Sequence, residues 1–422
     1  MVVTFNKLWQ TEEGENMNKK IIKISTIITV LTVILINWCY VYAAEELSIN
    51  AKAALIVEKN TGKIIYEKDI NEQNYPASTT KILTAILAIE NCDLDEVATV
   101  SQKAISNVPT AYVIAPLYVG EQMKVKDLLY ALMLRSSNDA AYVLAEHVGG
   151  SVEGFSEMMN NKAKEIGCKN THFVNPNGID NKDHYTTAYD MYLITNYAMK
   201  NETFAKIVST PQYTLPATNK CPNSNRVMKN TNNFVNPSSK YYDENVKGVK
   251  TGTTDLAGNC LITDSAKNNL EFITVILGAT TSDSKFSETQ KMIEYAYDNY
   301  TLSSMHKKGD VIKNIEIKNA TDETKNLNLV LSDDITVMHK VATKISEINP
   351  EISLNDSIVA PISKGQELGT VKYTVEGIEY TAKLLADKDV EVKTYYVQIL
   401  WGVGVFVVIF MIFITLRRKR RR

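Results

Sequence analysis

From Tyr396 to Leu416 the chain carries 21 residues without a charge, and Arg417-Arg418-Lys419-Arg420-Arg421-Arg422 follows at once. As a helix this run is about 31 Å long, a match to a bilayer hydrocarbon core of about 30 Å. A core helix of that length would show a polar face, and this run lacks one. It is expected to cross a membrane. The positive-inside rule then assigns the tail 417–422 to the cytoplasm and residues 44–395 to the outer side.

A second apolar run, Ile24 to Cys39, agrees with export. Met17-Asn18-Lys19-Lys20 precedes it and Val41-Tyr42-Ala43-Ala44 follows, the order of a secretory signal. Residues 1–43 are therefore expected to be a signal region cleaved after Ala43. Met17 reads as the true start, because Met1 to Asn16 suits no part of a signal and Glu12-Glu13-Gly14-Glu15 implies purine-rich codons resembling a ribosome-binding site. Trp38 is too bulky for the residue before a lipidated cysteine, which argues against Cys39 as a lipid anchor.

The formal charge of -2 conceals an asymmetry. Between the signal region and the basic tail stand 36 basic and 45 acidic residues, a net of about -9. A nucleic-acid partner is excluded on that ground, since counterion release needs clustered Lys and Arg. Beyond the signal, Cys92, Cys168, Cys221 and Cys260 are spread through a chain large enough to fold without staples, and none forms a Cys-x-x-Cys pair. Free thiols are expected. His172 and His184 are too loosely paired for a metal site, so neither metal nor cofactor is expected.

The 422 residues suggest two or three domains. Ala53 to Glu58 and Lys63 to Lys68, joined by Asn60-Thr61-Gly62, read as a hairpin. Apolar residues at helical spacing mark 78–90, 126–147, 151–166 and 187–200, and three successive strands follow at 246–253, 258–266 and 270–279. Sheet, helices and sheet again give an α/β (α+β) sandwich with helices on an antiparallel sheet. Residues 219–245, rich in Asn, Ser and Pro, read as a long loop. From Gly309 to Asp389 short alternating strands indicate a small all-β domain. The expected division is 44–305, 306–392, a spacer at 393–395, and the membrane helix at 396–416.

The chemistry begins at Pro76-Ala77-Ser78-Thr79-Thr80-Lys81. With Ser78 opening a helix, Lys81 lies three residues on and shares its face, so a hydroxyl acquires its own base. Lysine acts as a base only when neutral, which demands burial or a neighbouring cation, and Ile82, Leu83, Ala85, Ile86 and Leu87 supply the burial. Two further motifs follow in order: Ser136-Ser137-Asn138, and Lys250-Thr251-Gly252-Thr253 on a strand. Ser-x-x-Lys, Ser-x-Asn and Lys-Thr-Gly together mark penicillin-recognising enzymes.

On these motifs the sequence resembles the low-molecular-mass penicillin-binding proteins, specifically the serine D-alanyl-D-alanine carboxypeptidases. Phe173-Val174-Asn175-Pro176-Asn177-Gly178, His184 to Met191, Asn230-Thr231-Asn232 and Lys364 to Gly369 extend the resemblance over most of the ectodomain. It implies a serine β-lactamase/transpeptidase-like fold, a C-terminal β domain near the membrane, and removal of the terminal D-alanine from peptidoglycan stem peptides ending in D-Ala-D-Ala. β-Lactams would be covalent inhibitors. Carried over by motif, Ser78 is the nucleophile, Lys81 its base and Ser136 the proton relay. Asn138, Lys250, Thr251, Gly252 and Thr253 bind substrate, with the backbone N–H groups of Ser78 and Thr253 as oxyanion hole. Family members often attach by an amphipathic C-terminal helix, whereas this chain is expected to span the bilayer.

Two rival readings are weaker. A class A-like β-lactamase needs a carboxylate to activate the deacylating water, and Thr171 to Gly178 contains no Glu; Asp180 just beyond matches no lactamase pattern. In the second motif Ser137 also stands where the lactamase form has Asp. A non-catalytic penicillin-binding receptor that signals across the membrane would have only six residues on the inner side, whereas an inactive cell-wall-binding module is separated from a working enzyme only by single-turnover release of D-alanine.

Overall fold

The computed structural model describes residues 23–26, 28–29, 47–110 and 112–419; Met17, Cys39, Ala43 and residues 420–422 lie outside them. Met1–Ile49 and Asn50–Arg422 are separate compact units. In the first, residues 23–26 and 28–29 are helical.

In the second unit β1 (Ala53–Glu58) and β2 (Ile64–Lys68) form the expected hairpin. A tight 3-10 turn, Ala77–Thr80, runs directly into α1 (Lys81–Asn91). The chain continues through β3 (Val97–Thr99), α2 (Gln102–Ser106), β4 (Gln122–Lys124), α3 (Val125–Leu134), α4 (Asn138–Gly149) and α5 (Val152–Ile166). Then come α6 (Ala188–Ala198), α7 (Glu202–Ser209), β5 (Gln212–Thr214) and β6 (Val227–Lys229). Local chemistry sets the boundaries: Ser151 and Thr187 cap α5 and α6 through their hydroxyls, and Gly150 and Gly167 end α4 and α5 at positive φ.

Next, β7 (Val246–Thr254), β8 (Gly258–Lys267) and β9 (Leu270–Ala279) return to the hairpin and complete an antiparallel sheet of order β2-β1-β9-β8-β7. Alternation along these strands serves two layers. Ile262, Ile273, Val275 and Leu277 join the core beneath the helices. Leu261 and Val246 instead pack with Phe286 and Ile293 of α8 (Ser284–Asn299) on the opposite face. The sheet is thus buried on both sides, which is why β1 has no exposed residue.

Beyond α8, β10 (Tyr300–His306), β11 (Val311–Glu316), β12 (Asn326–Leu331), β13 (Ile335–Lys340), β14 (Glu351–Leu354), β15 (Glu367–Val375) and β16 (Ile378–Ala386) form the β domain. Its main sheet has the order β11-β12-β16-β15-β14, and β10 pairs with β13. Leu327, Leu329, Leu331, Val371 and Leu384 are among its core residues. α9 (Thr394–Lys419) closes the described chain, and its segment Gln398–Arg417 is long and apolar enough to cross a membrane.

Three details differ from the sequence pattern. The helical run 126–147 is broken between α3 and α4, where Ser136 takes a φ of +63°. The loop 219–245 contains β6 and a 3-10 turn at Asn233–Val235, because Asn232 caps that turn and β6 finds β5 as its partner. Finally, β10 crosses the boundary expected at 305/306.

Candidate active site

Ser78 sits in the 3-10 turn ahead of α1, and Lys81 Nζ lies 2.8 Å from its Oγ. Two other atoms hold the Lys81 amine, Asn138 Oδ1 at 2.9 Å and the Asn177 carbonyl at 2.7 Å. Both are acceptors only. The orientation of the Asn138 carboxamide is fixed independently, since its Nδ2 donates to the Val113 carbonyl at 2.9 Å. A neutral amine has two N–H groups for these two carbonyl oxygens, which leaves its lone pair for the Ser78 hydroxyl.

Electrostatics favours that neutral form. Lys81 is fully buried, and burial first, then the charge of Lys250, hold its pKa well below the ordinary lysine value, against a smaller opposing pull from Asp139. Burial likewise pushes Lys250 down to about 7, helped by Lys285. Lys285, in the first turn of α8, is itself buried and lowered by burial, and its Nζ donates to Thr253 Oγ1 at 3.4 Å. Among the described residues none of these three lysines has a carboxylate within salt-bridge distance. The sequence pattern did not reveal Lys285.

The third motif lies on β7 beside Ser78. A Cβ at Gly252 would stand 2.9 Å from Ser78 N and 3.0 Å from Ala77 Cβ, so only glycine lets the strand approach the Ser78 N–H this closely. The Thr251 and Thr231 hydroxyls are 2.7 Å apart, and exposed Thr253 donates to the Gly252 carbonyl. Ser136 is half-buried in the turn before α4, and among the described residues its hydroxyl has no partner. Ser137 turns into the protein, where its buried hydroxyl is unpaired.

A second layer supports the turn that carries Ser78. Gly178, with a φ of +84°, passes so close that a Cβ there would fall 1.7 Å from the Ala77 carbonyl oxygen. His184 Nδ1 accepts from Val174 N, so its Nε2 carries the proton and donates to Thr80 Oγ1, which in turn donates to the Ala77 carbonyl. Burial first, then His172 and Lys81, hold this imidazole down at about 3 and hence neutral. The sequence marks His184 within a motif, but this supporting position emerges only in three dimensions. Asp139 is also new. Its carboxylate accepts from the Ala115, Leu117 and Ala140 N–H groups and so anchors the loop whose Val113 carbonyl holds Asn138.

Asp180, the acid nearest the expected lactamase position, has both oxygens committed. Oδ1 accepts from Thr254 Oγ1 at 2.6 Å and Oδ2 from Leu256 N at 3.3 Å. It ties the 178–181 loop to the β7–β8 turn. The four cysteines within the second unit are free thiols.

Comparison with known proteins gives the same reading. A family model described as D-alanyl-D-alanine carboxypeptidase matches residues 40–281, and one described as the C-terminal domain of penicillin-binding protein 5 matches 300–392. The D-alanyl-D-alanine carboxypeptidase DacF of Bacillus subtilis is 35% identical over 355 residues, 82% of this chain and 86% of its own. DacC of Escherichia coli is 28% identical, covering 80% of this chain and 84% of its own. Among solved structures, penicillin-binding protein 5 of Haemophilus influenzae superposes with a TM-score of 0.62 at 27% identity, over 82% of this chain and 98% of that one. With the serine–lysine pair, the glycine-lined approach of β7 and these matches together, the chain belongs to the D-alanyl-D-alanine carboxypeptidase family.

Proposed function

We propose that the chain, as a D-alanyl-D-alanine carboxypeptidase, removes the terminal D-alanine of peptidoglycan stem peptides through an acyl-enzyme on Ser78. The observation that carries this is the buried Lys81 amine, 2.8 Å from Ser78 Oγ and held by two carbonyl oxygens that can only accept, so that in its neutral form the lone pair is left for the Ser78 hydroxyl. Lys81 takes the hydroxyl proton as Oγ attacks the penultimate carbonyl. The oxyanion is received by the Ser78 and Thr253 N–H groups, a device typically worth about a hundredfold to a thousandfold in rate. Ser136 passes a proton to the departing D-alanine amine, and water then hydrolyses the ester. Asn138 keeps one N–H for the peptide.

The substrate's terminal carboxylate enters a buried basic corner made by Lys250 and Lys285, with the Thr251 and Thr253 hydroxyls beside it. A cation cluster without a counter-ion selects an anion. β-Lactams acylate Ser78 because they present the same carbonyl and carboxylate. For placement in the cell, α9 crosses the membrane, the basic tail 417–422 lies inside, and the domains 44–305 and 306–392 work on the outer face. The uncharged length of α9 and the six basic residues after it support this reading.

Release of D-alanine from a synthetic pentapeptide tests the proposal. The parent protein is expected to turn over, Ser78→Ala to lose both release and covalent labelling by a fluorescent penicillin, and Lys81→Ala to lose acylation by either. Labelling that persists in Ser78→Ala refutes the assignment.

A further inference from the structure

Outside the cleft, three side chains of metal-ligating type converge: Cys92 Sγ, a Glu96 carboxylate oxygen and His147 Nε2 all lie within 4.8 Å of one another. Cys92 is the C-cap of α1, Glu96 immediately precedes β3, and His147 lies in the last turn of α4. His147 Nε2 is 3.0 Å from Glu96 Oε1. That contact lacks hydrogen-bond geometry, and the nitrogen is a buried atom with no hydrogen-bonded partner. A nitrogen and an oxygen placed side by side, rather than donor to acceptor, is how two ligands stand around a shared ion. Ligand atoms at about 2.0–2.3 Å from a tetrahedral metal are necessarily some 3–4 Å from each other.

The donor set names the ion. A thiolate and an imidazole disfavour Ca2+ and Mg2+, which take oxygen ligands, whereas one sulfur, one nitrogen and one carboxylate oxygen suit Zn2+. Cys92 is half-buried and Glu96 is exposed, so solvent and ions reach the cluster and water can fill a fourth position. The place in the fold supplies a purpose. α1 and α4 pack together, and their opposite ends carry Lys81 and Asn138, hydrogen-bonded at 2.9 Å in the cleft. At about 1.5 Å per residue the cluster lies roughly 14–16 Å along both helices from that contact.

We propose that Cys92, Glu96 and His147 bind one Zn2+ ion that joins the C-terminal ends of α1 and α4. The ion takes no part in the peptidase reaction. It fixes the far ends of the two helices whose near ends align the base with its orienting amide.

The test uses tag-free full-length protein in detergent, stripped with a chelator and titrated with Zn2+ against a competing chromophoric chelator. The parent and Ser78→Ala are expected to bind one ion per chain and to melt at a higher temperature with Zn2+ than without. Cys92→Ser and His147→Gln are expected to bind at least about tenfold more weakly and to lose the melting shift. Penicillin labelling of Ser78 shows that each variant is folded. Should a variant fail that control, Co2+ added to the parent decides the matter: a thiolate-to-cobalt charge-transfer band supports the site and its absence overturns it. Less than one Zn2+ per chain in the parent, or parental affinity in a folded Cys92→Ser or His147→Gln, also overturns the proposal.

Discussion

Lys81, Lys250 and Lys285 are each at most 5% exposed and carry no acidic partner among the described residues, an arrangement that opposes folding in order to serve the site. The sign of the effect follows from linkage. Lys250 is held at about 7 against an ordinary 10.5, so between those values the unfolded chain binds a proton that the folded chain refuses. Stability therefore rises with pH across that window and is lowest below about 7. Lys250→Met is expected to raise the melting temperature at pH 6, with a gain of about 1 kcal/mol that shrinks toward pH 10, while D-alanine release falls. Scanning calorimetry at the two pH values checks this. In the parent, KM for a free-acid peptide is expected to climb above pH 7 as Lys250 loses its charge, with KM for the amidated peptide unchanged; equal profiles for both peptides refute the anchoring role. Ser78 and Lys81 were legible because their three-residue spacing is followed, in order, by Ser136-Ser137-Asn138 and Lys250-Thr251-Gly252; the spacing by itself is common. Lys285 was not, because nothing around it in the sequence forms a pattern. Only the return of β9 into α8 brings its amine to Thr253.

Elements meet at Ser78 with almost no clearance, and glycine marks the contact. In Gly252→Ala the new methyl would crowd Ser78 N at 2.9 Å and force β7 away from the oxyanion site. The expected result is a folded protein whose kcat is lower by about a hundredfold to a thousandfold, read by steady-state D-alanine release. An unchanged kcat would falsify the placement of that site between β7 and the 3-10 turn. The break between α3 and α4 gives a second case. Periodicity alone ran 126–147 together, since the apolar patterns on either side of the polar stretch Arg135 to Asp139 are both helical and a single residue at positive φ leaves no mark in them. Ser136 at +63° costs about 1–2 kcal/mol relative to an ordinary backbone, a strain commonly kept at functional sites. Ser136→Gly is expected to relieve it and raise the melting temperature, whereas Ser136→Ala should not; both should lose acylation together with the relay hydroxyl. Thermal melts paired with penicillin-labelling rates separate the two effects. β9 was plainly legible because it is buried on both faces and reads as a nearly continuous apolar run, whereas β6 is only three residues long.

Across the whole molecule the change from helical to two-residue periodicity announced a second domain, but not how it attaches. Lys63, at the hairpin of β1 and β2, pairs with Glu376 at the β15–β16 turn at 2.9 Å. Burial alone would raise the Glu376 carboxyl, yet the Thr343 hydroxyl, Lys63 and the Lys340 N–H outweigh it and hold the group down to about 2. No sequence pattern links residues so far apart. The lower end of the β domain likewise extends beyond its last strand. Val390 is 2% exposed and exchanges backbone hydrogen bonds with Ile362, Glu391 accepts from Thr321 N, and Lys393 N donates to the Asn319 carbonyl. Residues 390–393 thus close the domain, and α9 begins immediately at Thr394. This sets the last expectation. A chain ending after Lys393 loses only α9 and should be a soluble enzyme with the D-alanine release rate of the parent. A chain ending after Asp389 also loses the buried Val390 side chain and four backbone hydrogen bonds, a destabilisation of about 2–5 kcal/mol. Its β domain should melt earlier while the cleft, built from residues of the first sheet and its helices, still binds penicillin. The full-length protein should resist extraction by carbonate, because a spanning helix leaves the bilayer only with detergent whereas an interfacial one can be stripped. Release by carbonate alone would show that α9 lies on the membrane instead of crossing it, and the six basic residues after it would then be headgroup contacts on the outer face.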